Sequence, residues 1–204
     1  MRAVRLIVGA LMVVCLAGCT ASPSREELAG ADAARDGGLR TLGSIEVPTP
    51  AGYSAVAERT MDACGSLTSD RGGFDDTHVE GYSCALIRRT VYTANDDSAR
   101  SDAGARAAVT QLQEAFGLDL SPNVPTAMGF FDADGLRVDM TALVRPAGEV
   151  DIDMLPLWHA NQLVHSDDGE LSGKLSDVGV DAATVLMVTT TVTYFHQLRS
   201  SLQP

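Results

Sequence analysis

The stretch "AMGFFDADGLRVDMTALVRPAGEVDIDML", Ala127 to Leu155, decides the fold class. Leu136, Val138, Met140, Ala142 and Val144 alternate with Arg137, Asp139, Thr141 and Arg145. Val150, Ile152 and Met154 do the same against Glu149, Asp151 and Asp153. A period of two with one wet face is the pattern of antiparallel strands that press one side on a core and leave the other to solvent. "DADG" (Asp132–Gly135) and "RPAG" (Arg145–Gly148) stand where hairpin turns belong. A calcium-loop reading of the same aspartates fails, because alternate oxygen ligands closed by a glutamate are missing. The acidic stretch Asp70 to Asp76 is a separate and similarly weak calcium candidate.

On either side of this block the periods change. Tyr82 to Ala94 is dense in β-branched and aromatic residues and predicts a strand. Thr184 to Phe195, heavy in Thr and Val, predicts another, although Leu186, Phe195 and Leu198 would also share a helical face. Two helices are expected. The first follows Pro50, with Tyr53, Val56, Ala57, Met61, Cys64 and Leu67 at helical spacing. The second is capped by Asp97 or Ser98, carries the stripe Ala105, Val109, Leu112 and Phe116, and stops at Gly117. Ser66 to His78 reads as a loop, and Asn161 to Asp177 as a strand followed by a loop. The expected fold is α+β: an antiparallel sheet of about four to six strands with two helices packed on one face.

The N-terminus carries a different signal. Met1 to Arg5 is basic and Leu6 to Leu16 is almost wholly apolar, a secretory pattern shorter than the roughly 20 residues a membrane-spanning helix needs. It ends in Leu16-Ala17-Gly18-Cys19, which resembles the lipobox of bacterial lipoproteins. The resemblance implies a diacylglyceryl group on the Cys19 sulfur and cleavage just before it, so that Cys15 leaves with the signal. Acyl chains add about 0.8 kcal/mol per buried CH₂, so two or three chains hold a protein on a membrane where one would not. The expected organisation is a signal over 1–18, a lipidated cysteine and solvated tether over 19–50, and one α+β domain over 51–204. Within the tether, Arg25 to Ala34 offers one helical turn, stopped by Gly37 and Gly38. Lys174 is the sole lysine beside many arginines, a composition typical of GC-rich genomes. The layout resembles that of actinobacterial lipoproteins.

Past Cys19 only Cys64 and Cys84 remain, and in an exported chain such a pair reads as a disulfide. On the expected elements it would staple the first helix to a strand. A redox role lacks the CxxC spacing that lowers a thiol pKa. A net charge of −12 gives no footprint for phosphate backbones, so nucleic acid is not an expected partner. The expected partners are the membrane, through Cys19, and an envelope protein or cell-wall component.

Catalytic patterns are weak. "GYSCA" (Gly81–Ala85) approaches the nucleophile-elbow motif at Ser83, but the strand pattern continues through it instead of turning into a helix. His78, His159, His165 and His196 show no zinc spacing. No pattern calls for a cofactor. "PLWHANQ" sets Trp158 beside His159, Asn161 and Gln162, an aromatic face next to amides that would suit a sugar ring, or else a tryptophan covering the end of the core. Three classes follow: a lipid-anchored binding or accessory domain, an envelope hydrolase assembled from distant residues, and a carrier of lipid or another small molecule. The carrier reading requires a cavity beside Leu112, Phe116, Val138 and Met140.

Overall fold

The structure, a computed structural model, describes residues 23–70, 77–122, 124–150, 162–167 and 184–199. The chain runs through α1 (Arg25–Ser44), β1 (Tyr53–Asp70), β2 (Thr77–Ala94), α2 (Asp97–Arg100) and α3 (Asp102–Phe116). It continues through β3 (Asp119–Leu120), β4 (Thr126–Ala133), β5 (Leu136–Pro146), β6 (Gln162–Asp167) and β7 (Thr184–Leu198). All pairings are antiparallel, in the order β3-β4-β5-β7-β2-β1-β6. Six of these are substantial strands and β3 is a two-residue edge. This is the expected α+β class.

The β4–β5 hairpin forms where the alternation placed it. Asp134 and Gly135 take φ of 51° and 77°, the left-handed pair that a tight hairpin turn needs. Val138, Met140 and Ala142 are buried on one face, beneath the helices. At "RPAG" β5 runs through Pro146 and is followed by a 3₁₀ turn at Ala147–Glu149. The expected strand over 150–154 lies mostly outside the described residues. The second predicted helix is split into α2 and α3, capped by Asp96 and Ser101, and it ends on Gly117 at φ 66°. β7 is a strand, not a helix, and occupies the middle of the sheet.

Two expectations are overturned. The helix predicted from Tyr53 to Leu67 is β1, an 18-residue strand paired with β2 along its length. Ala57 and Met61 stand four apart, which satisfies a period of two as well as one near 3.6, and the continuous partner strand decides between them. The expected loop from Ser66 is therefore the far end of a long hairpin, β1 reaching Asp70 and β2 starting at Thr77. The Cys64–Cys84 bridge forms, but it joins directly opposed residues of two neighbouring strands and not a helix to a strand.

The second correction concerns the tether. Arg25 to Ser44 is a 20-residue helix, where a single turn was expected. Ser24 accepts from the Glu27 amide while the Glu27 carboxylate accepts from the Ser24 amide, the reciprocal capping box of a helix start. Of the two glycines expected to stop the turn, Gly38 is a packing glycine, as is Gly30 earlier in the helix. A Cβ on Gly38 would lie 2.7 Å from Tyr194 Cβ, and one on Gly30 would lie 2.7 Å from Phe195 Cε2. At the other end of α1, Arg88 of β2 donates to the Ile45 carbonyl, a cation placed where the helix dipole is negative.

Candidate functional site

Helices α1 and α3 share one core cluster with the near face of the sheet. The far face of the β5-β7-β2-β1 strip carries a groove of about 720 Å³. Its size falls within the roughly 300–1,000 Å³ of small-molecule sites. Alternation explains which side chains reach it. Arg137 and Asp139 of β5, Thr193 of β7, Ser83 of β2 and Leu67 of β1 all stand opposite the core-facing set of their own strands. Register places Thr193 against Arg137 on one side and Ala85 on the other, and His196 against Ser83. Between Thr193 and Phe195 the register slips by one residue at Tyr194. That bulge lets Tyr194 and Phe195 both serve the helical side while Thr193 and His196 serve the groove.

The polar groups of the groove are largely committed to one another. Ser83, 1% exposed, donates to the Phe195 carbonyl at 3.0 Å. Arg137 donates twice to Asp139, at 3.3 and 3.2 Å, and its guanidinium lies 4.4 Å from the centre of the Phe130 ring. Beyond Arg137, Phe130 is 67% exposed and Met128 lies beside it on the same face of β4, an apolar shelf next to the groove. His196 is exposed at the mouth. The Ser83 hydroxyl is spent on a backbone carbonyl and sealed from solvent, and Ser83 sits inside β2 where an elbow would need a strand end.

Behind the groove, on the helical side, a buried polar network ties α1 to the sheet. Arg35 donates to Asp62 Oδ2, and Tyr194 donates to Asp62 Oδ1 at 2.8 Å. The Tyr194 oxygen also lies 3.7 Å from Cys64 Sγ of the bridge. Burial pushes the Tyr194 hydroxyl well above the usual phenol range, and its bond to Asp62 adds to the effect. One turn from the helix start, Glu27 receives Arg199 Nε at 2.9 Å and Nη2 at 2.7 Å. Those bonds, with the Ser24 amide, hold the Glu27 carboxyl down at about 2 against the opposing effect of burial.

Cys64 and Cys84 meet as expected, whereas Cys19, Trp158, His159 and Asn161 lie outside the described residues. Of the histidines, His165 opposes Asp62 in register, His78 opposes Ser69 and His196 opposes Ser83, three separate places along the sheet. Among the described residues no group of three His, Cys, Asp or Glu is arranged to hold a metal ion. Leu112, Val138 and Met140 are packed in the shared core and Phe116 stacks on Phe131 at 5.7 Å, so these four residues line a filled interior. Ser83, Arg137, Asp139 and His196 each stand out singly in the sequence, but nothing there gathers them into one groove, although Thr189, Thr191 and Thr193 alternating with Val188 and Val192 mark the polar face of β7.

No helix of the described residues is long and apolar enough to cross a membrane. No family model matches the chain, and neither a curated protein nor a solved structure matches it.

Proposed function

We propose that this chain is a lipid-anchored lipoprotein of the outer face of the cell membrane, whose domain binds rather than transforms its ligand. The lipobox-like Leu16-Ala17-Gly18-Cys19 supports the anchor. The observation that carries the compartment is the Cys64–Cys84 bridge between the two longest strands, since such bonds persist where the surroundings oxidise. Binding is favoured over hydrolysis by the groove itself, a mostly apolar trough whose serine and charged pair are already spent on internal bonds.

Radiolabelled palmitate tests the anchor. Wild-type protein takes up label and fractionates with the membrane, whereas Cys19→Ala takes up none and is not processed before residue 19. Absence of label from the wild type rejects the reading. Native mass spectrometry of protein purified from its own envelope tests the ligand. A persistent added mass beyond the acyl groups supports binding, and turnover of an envelope ester or glycan by the same preparation overturns it.

A further inference from the structure

We infer that the groove takes an acyl chain of a membrane phospholipid, delivered by the position in which Cys19 holds the domain; this rests on the lipoprotein reading above. Four residues, Thr20 to Pro23, separate Cys19 from the helix cap Ser24. At the roughly 3.3–3.6 Å that each residue can span, the cap lies within about 18 Å of the lipidated cysteine whatever path the chain takes. The anchor is therefore a short leash on the start of α1.

The start of α1 is fixed in turn to the end of β7. Glu27 holds Arg199 through two bonds, and Gly30 packs on Phe195. The groove is built at that same end of β7, around Thr193 and His196, so the leash holds it toward the bilayer. Alternation puts Leu198 on the face of His196, and it is 63% exposed. Leu28, beside the Glu27 anchor, is 44% exposed. Two solvent-facing leucines at the tethered end suit the boundary between headgroups and acyl chains.

The lining selects the occupant. A peptide added as a strand needs a free sheet edge, but the floor belongs to β7 and β2, each paired on both sides. A sugar needs several open donors and acceptors, and here Ser83, Arg137 and Asp139 hold internal bonds, which leaves only Thr193 and the exposed His196 to offer them. An acyl chain asks for none, only for apolar walls such as Leu67.

The test uses the full mature lipoprotein in phosphatidylcholine vesicles containing a trace of phospholipid with a diazirine near the end of one acyl chain. The intact mass is read first. After illumination, label is expected on residues 81–83, 136–139 and 193–196, and Thr193→Trp, which fills the groove, lowers it at least about tenfold while membrane attachment persists. Should Thr193→Trp melt early, Leu67→Gln at the half-buried groove wall carries the same expectation. Label spread evenly over the surface, or undiminished in the folded variant, overturns the lipid site and leaves the anchor standing. An intact mass without acyl groups on Cys19 overturns both.

Discussion

Helices α1 and α3 cover the same sheet by opposite means. α3 presents a stripe of Ala105, Ala108, Val109 and Leu112, all buried, between a serine cap and a glycine stop. α1 buries only Ala31 and Leu42 among its larger apolar residues. Its hold on the sheet comes from glycine contacts and from two ion pairs whose partners stand 27 and 172 residues away in the chain. α3 is thus attached by surface that any nonpolar neighbour would satisfy, whereas α1 is attached by pairs that only their exact partners can satisfy. The difference teaches that a helix without an amphipathic stripe can still be part of a fold, at the cost of sensitivity to charge.

The sharpest way to break that contrast is Asp62→Ala. It strands the Tyr194 hydroxyl in the core and releases Arg35, and removal of one partner from a buried network costs about 3–5 kcal/mol. Denaturant titration should show this loss, with Tyr194→Phe in the same background recovering part of it by removing the orphaned hydroxyl. No recovery would mean that Tyr194 contributes by packing alone. Leu112→Ala in α3 should cost about 3 kcal/mol through the cavity it leaves, with no dependence on pH or salt. Replacing Cys64 and Cys84 together by alanine should remove about 3 kcal/mol, the entropy of a loop with a sequence separation of 20. Equal thermal melts with and without reductant would contradict it.

The pH dependence belongs to α1. Glu27 has its folded pKa lowered to about 2 from an ordinary 4.5, so its contribution is complete above the unfolded value and is lost as pH falls toward about 2. Because Arg199 is one-third exposed, the contribution is discounted to about 2 kcal/mol. Melting temperature should fall between pH 5 and pH 2, and Glu27→Gln should flatten that slope relative to wild type. The smallest effect expected is Ser24→Ala, about 1 kcal/mol for the lost cap, with Ser101→Ala in α3 as its counterpart. Circular dichroism melts that ranked Ser101 far above Ser24 would show that the start of α1 is held by Arg199 alone.

What was legible in the sequence follows the same division. The β4–β5 hairpin, β2, β7 and α3 each announce themselves within a dozen residues, through alternation, turn chemistry or a capped stripe. β1 looks helical because Ala, Glu and Met at Ala57, Glu58 and Met61 are helix formers, and only pairing with β2 makes them strand. α1 looks like a tether because it has no sustained apolar period and carries the pair Gly37-Gly38, although the Ser24-x-x-Glu27 box marks a helix start. The groove was illegible for a different reason. Leu67, Ser83, Arg137 and Thr193 come from four strands, and neither alternation nor motif says which strands will lie side by side.

The sheet order carries one more consequence. β7 comes last of the described strands, yet it lies between β5 and β2. Until it arrives, the β3-β4-β5 and β1-β2-β6 units each display an open interior edge, the kind of edge that pairs with the wrong chain. Folding is therefore gated by the final 15-residue strand, and a chain cut short before Thr184 is two half-sheets rather than a smaller protein. The bridge between β1 and β2 can close before that moment, so oxidation fixes the register of one half of the nascent sheet while its β2 edge still waits for β7.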